Sequence, residues 1–133
     1  MGRRKTTEIE FKRVAEEAGF VVLPPRSIRA KEPVENKYGK QEKLVTTPDY
    51  FVVDPITQNG VHVEVTDGAG NTPHKSAQQR VIESAGVSNY VLITGDQIAA
   101  VEDQPTAEEK RELLQKYLYF MFIHSIHELQ SSL

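Results

Sequence analysis

Hydrophobic residues recur along this chain in distinct rhythms, and each rhythm predicts a different element. Phe11, Val14, Ala15 and Ala18 fall at helical spacing behind Thr6, Thr7, Glu8 and Glu10, which predicts a capped amphipathic helix closed by Gly19. Phe20-Val21-Val22-Leu23 is a short unbroken apolar run ended by Pro24-Pro25, as in a buried strand. Tyr50-Phe51-Val52-Val53 predicts a second strand, followed by the turn residues Asp54-Pro55 and Gln58-Asn59-Gly60. The next run, from Val61 to Thr66, alternates strictly. Val61, Val63 and Val65 share one face, while His62, Glu64 and Thr66 share the other. These two strands are expected to pair as an antiparallel hairpin with the valines toward the core.

The polar stretch from Pro24 to Thr47 has neither rhythm and reads as a long loop with room for a short helix or strand. Thr72 with Pro73 opens a helix that runs through Lys75, Gln78, Gln79 and Val81 to Gly86, and Asn89–Thr94 forms the next strand. Thr106-Ala107-Glu108-Glu109 is a capping box that opens a long C-terminal helix. From Tyr117 to Ile126 this helix is apolar on more than one face, which requires burial against the sheet or a second subunit. The order of elements predicts an α/β fold, a mixed β-sheet flanked by helices.

With 133 residues the chain fits one domain, 1–133. Cysteine is absent, which excludes disulfides, thiolate metal sites and cysteine nucleophiles. The basic start, Arg3-Arg4-Lys5, runs into Thr6-Thr7-Glu8 and not into an apolar stretch, and no run is long enough to cross a bilayer. A cytoplasmic setting without a membrane partner is expected. The net charge of −3 argues against indiscriminate coating of nucleic acid. Positive residues nonetheless gather at Arg26, Arg29, Lys31, Lys37, Lys40 and Lys43, a candidate phosphate-facing side, although Glu32, Glu35 and Glu42 lie among them.

The hairpin places two carboxylates close together. A loop centred near Thr57 sets Asp49 across from Val65 and beside Glu64. Strict pairing in that register turns the two acids to opposite faces, so their convergence demands a bulge or a one-residue asymmetry. Two hard oxygen ligands, with the Val65 carbonyl as a third, suit magnesium or manganese and not zinc. Lys75, near the start of the following helix, is the candidate cation beside an attacking water, and His74 is a candidate phosphate contact at the helix N-terminus.

Thr47-Pro48-Asp49-Tyr50, the hairpin, Val63-Glu64-Val65-Thr66, and a helix carrying Lys75 and Gln78 or Gln79 resemble the PD-(D/E)XK nuclease superfamily. Glu8, Glu10-Phe11 and Gly19-Phe20-Val21-Val22 are similar to the opening of the archaeal Holliday junction resolvase branch. The likeness spans about residues 6 to 94. It implies a restriction-endonuclease-like αβββαβ core and a magnesium-dependent endonuclease acting on branched or duplex DNA. It also implies a homodimer, for which the apolar C-terminal helix is the expected surface. On this resemblance Asp49, Glu64 and Glu8 hold metal. The chain departs from the pattern at the motif lysine, which is Thr66, and Lys75 is the expected substitute with Gln78 one turn further on.

Two alternatives follow from that departure and from the apolar helix. One is a nucleic-acid-binding module that keeps the fold without catalysis, and the other is a protein-interaction or assembly domain. His124 and His127, one helical turn apart, lack a nearby acid on the same face and read as helix-surface or interface residues. Gly68 to Ser76 fails the spacing of a nucleotide-binding P-loop, having His74 and Ala69 where glycines belong.

Overall fold

The computed structural model describes residues 3–67 and 73–118, with the backbone alone for 3–5 and 73–76. Helix α1 (Arg3–Glu17) starts earlier than the threonines suggest. It buries Phe11, Val14, Ala15 and Ala18, the stripe expected from their spacing. Gly19 then takes a φ of +93°. Its N–H donates to Glu16 O and the Phe20 N–H to Ala15 O, a paired C-terminal cap that glycine alone makes without strain. Strands β1 (Val21–Leu23), β6 (Tyr50–Val53), β7 (Gly60–Thr66) and β8 (Tyr90–Thr94) form a mixed sheet in the order β1-β6-β7-β8. The first three are antiparallel, and β8 runs parallel to β7 after the crossover helix α2 (Pro73–Ala85).

The stretch between β1 and β6 is more ordered than its composition suggests. It contains β2 (Ile28–Arg29) paired with β5 (Val45–Thr46), and β3 (Val34–Glu35) paired with β4 (Gln41–Glu42). Each strand is two residues long, too short for any alternation to register in sequence. These ladders lie against α2 and not on the sheet edge. Arg80 Nε donates to Glu35 O at 2.8 Å, and Ser84 Oγ both accepts from Glu32 N and donates to Glu32 O.

Two apolar clusters sandwich the sheet. On the valine face, Val61, Val63, Val65, Val91 and Ile93 meet α1, helix α3 (Gly95–Glu102) and helix α4 (107–118). On the other face, Tyr90 joins Ile28, Ala30, Val81 and Ile82. The His62-Glu64-Thr66 face is therefore covered and not solvated: Glu64 is 1% exposed and Thr66 8%. The covering layer comes from segments distant in sequence, α2 and the stretch between β1 and β6. Thr106 Oγ1 accepts from Glu109 N, as the capping-box spacing predicts. The expected apolar stretch from Tyr117 to Ile126 lies outside the described residues beyond Leu118, as do His124, His127 and the Thr72 cap.

Candidate functional site

The β6–β7 register settles where the two acids stand. Tyr50 pairs with Val63, Phe51 with His62, Val52 with Val61 and Val53 with Gly60. Continued by one residue, this ladder sets Asp49 across from Glu64, one position away from the Val65 opposition expected from a loop centred on Thr57. Residues 54–59 form the loop, closed by Asp54 N donating to Asn59 O at 2.9 Å, and Gln58 accommodates the reversal with a φ of +63°. The register thus differs by one residue from that of a loop centred on Thr57. The last paired residues are Tyr50 and Val63, so Asp49 and Glu64 are the next residues beyond the paired stretch.

Asp49 is positioned by the strand end itself. Its Oδ2 accepts from Val65 N at 2.7 Å, so a side chain supplies the acceptor where the β6 backbone ladder stops. In an extended strand the N–H and C=O of one residue point to the same side, which turns the Val65 carbonyl toward Asp49 as well. Two carboxylates and a carbonyl make a hard-oxygen donor set that fits magnesium or manganese. Among the described residues no three His, Cys, Asp or Glu side chains gather closely enough to hold a metal between them.

Glu8 sits on α1, across the valine layer from Glu64 but at the same end of the sheet. The Tyr50 hydroxyl donates to Glu8 O at 3.1 Å. Burial, with the nearby charges of Glu8, Asp49 and Glu16, raises the Tyr50 pKa above its ordinary value and keeps the phenol protonated. Tyr50, stacked on Phe11, thus stands near both Glu8 and Asp49. Sequence reasoning placed Tyr50 in the strand and missed this bridging position. The signal for it was its adjacency to Asp49.

The remaining expected residues fall in three places. His74 and Lys75 occupy the first turn of α2, and their side chains lie outside the described residues. Gln78 is 5% exposed on the inner face of α2, where its Oε1 accepts from the Tyr90 hydroxyl at 3.3 Å. The basic residues form no continuous stripe. The Arg26 guanidinium lies 4.0 Å over the Phe51 ring, whose edge meets His62. Lys31 reaches the Gly86 end of α2, roughly 20 Å of helix from its first turn. Arg29, Lys37, Lys40 and Lys43 are exposed on or beside the small ladders. His62 Nδ1 is buried without a hydrogen-bond partner among the described residues, and burial together with the Arg26 charge lowers its pKa.

No helix of the described residues is long and apolar enough to cross a membrane. No family model, no curated protein and no solved structure matches the chain.

Proposed function

We propose that the chain is a magnesium- or manganese-dependent endonuclease that hydrolyses DNA phosphodiester bonds. The restriction-endonuclease-like αβββαβ core belongs to the same reading. The observation that carries it is the hydrogen bond from Val65 N to Asp49 Oδ2 at 2.7 Å, which holds Asp49 against the strand residue next to Glu64 at the open end of the hairpin. A buried glutamate in a central strand is costly to a fold, and such residues concentrate where chemistry uses them. Asp49, Glu64 and the Val65 carbonyl would hold the ion, and Glu8, across the valine layer on α1, is not gathered with them. A bound divalent cation supplies an acidified water and offsets charge on the scissile phosphate. Thr66 offers a hydroxyl to that water but no positive charge, so Lys75 is assigned to orient the water and steady the phosphate. Gln78 holds the inner face of α2 against Tyr90.

The test is incubation of supercoiled plasmid and of branched DNA with magnesium or manganese. Wild type should cut, and Asp49→Ala and Glu64→Ala should each lose cleavage by about 100-fold or more, the usual scale for removing a charge-stabilising group. Equal cleavage by all three proteins would remove the acids from the mechanism. A second reading, a binding module without catalysis, is favoured by one observation: the position of the motif lysine holds Thr66, which is 8% exposed. Under that reading wild type and both variants bind DNA alike and none cuts. Homodimerisation through the C-terminal helix is part of the proposal and is read from sedimentation of the full chain.

A further inference from the structure

A cavity of about 280 Å³ opens between the β3–β4 hairpin, β5 and α2. Leu44, Val45, Ala77 and Val81 give it apolar walls, Thr46 and Gln78 are buried polar groups facing it, and Asn36, Lys37, Tyr38 and Glu42 complete its lining. Gln78 Oε1 accepts from the Tyr90 hydroxyl, which sets its amide at the cavity wall. Apolar walls with a few convergent hydrogen-bonding groups suit a small planar heterocycle, and the volume is at the low end for ligand pockets.

The rim carries an independent feature. Tyr38 is 76% exposed at the hairpin turn, with Lys37 Nζ 5.2 Å from its ring. That turn is held firmly. Asn36 Oδ1 accepts from Tyr38 N and Lys40 N at 2.8 and 3.0 Å, Asn36 Nδ2 donates to Glu42, and Arg80 ties Glu35 O to α2. A large aromatic ring presented to solvent on a fixed turn beside a cation is a stacking platform. The cavity is also close to the acids. Thr46 precedes Asp49 by three residues, at most about 10 Å of chain, and Gln78 follows Lys75 by one helical turn.

We propose that this cavity receives a single unstacked nucleobase of the DNA strand being cut, with Tyr38 stacking on it and Gln78 donating to its edge. The proposal rests on the nuclease reading and specifies its substrate as DNA with a base free to leave the helix.

The experiment measures fluorescence anisotropy of three labelled DNAs with the full chain, calcium replacing magnesium. One is fully paired, one carries a single extrahelical base, and one carries an abasic nucleotide at that position. Wild type should bind the extrahelical base most tightly. Tyr38→Ala should lose that preference by about tenfold, the scale of a base–aromatic stack, while leaving the paired duplex unchanged. Tyr38→Phe should retain it. Gln78→Met, which keeps the apolar contact with α2's neighbours, should reduce it without abolishing it. Equal affinity for the base and the abasic site, or equal weakening of all three DNAs by Tyr38→Ala, overturns the proposal. If all three bind alike while metal-dependent cleavage persists, the cavity assignment alone fails. Absence of binding to any of them takes the nuclease reading with it.

Discussion

The arrangement of the acids depends on the 54–59 loop, and that loop depends on a buried charge. Asp54 has no exposed surface, and its two oxygens accept from Arg111 Nη2 at 2.7 and 2.8 Å, with Ile56 N donating to Oδ1 at 2.9 Å. Arg111, on α4, is itself only 20% exposed and packs 4.8 Å over Phe20. Arg111→Met keeps an apolar contact with Phe20 but strands the carboxylate. Removing one partner of a buried pair costs about 3–5 kcal/mol, and the partial exposure of Arg111 favours the lower figure. With a urea slope of about 1–3 kcal/mol/M, a loss of about 3 kcal/mol moves the unfolding midpoint down by about 1–3 M. Asp54→Asn added to Arg111→Met should recover part of the loss, because the stranded group is then neutral. A midpoint shift below about 0.3 M for Arg111→Met would equal a surface salt bridge and refute the argument.

Three further outcomes are expected. A Cβ at Gly60 would lie 2.4 Å from Phe51 Cζ, so Gly60→Ala should lower stability by about 1–3 kcal/mol, read as a fall in melting temperature, and an unchanged melting temperature would mean the ring moves freely. His62 has a folded-state pKa below the ordinary imidazole value of 6.5, so the unfolded chain takes up the proton first as the medium acidifies. Stability from its neutral form is complete above pH 6.5 and declines as pH falls through the lowered value. Urea titrations across that window should show this slope in wild type and a reduced one in His62→Phe. Lys75→Ala should cut DNA at least about 100-fold more slowly while calorimetry finds manganese affinity nearly intact, and wild-type rates would exclude Lys75.

The hairpin was legible because strict alternation and turn residues are local signals, and both strands fall where those signals put them. Their register was not, since Gly60 marks the end of the loop without revealing that Asp54 and Asn59 close it. Helix α3 escaped notice because it begins with Gly95 and Asp96, poor helix formers, directly after a strand. Its signal was Thr94 with Gln97 three residues on, which forms a capping box. The burial of Glu64 needed knowledge of what α2 and the 24–47 segment cover, a tertiary fact with no local trace. For the same reason Asp54 read as a turn residue and not as the buried partner of a distant arginine.

The segment between β1 and β6 has little apolar surface of its own, yet Ile28 and Ala30 roof Val81, Ile82 and Tyr90. It is accordingly a wall of the body and cannot be trimmed like a lid. Shortening it to obtain a minimal protein would bare one side of α2 and invite aggregation, whereas added sequence between Lys37 and Gly39, at the outermost reversal, would leave every one of those contacts in place.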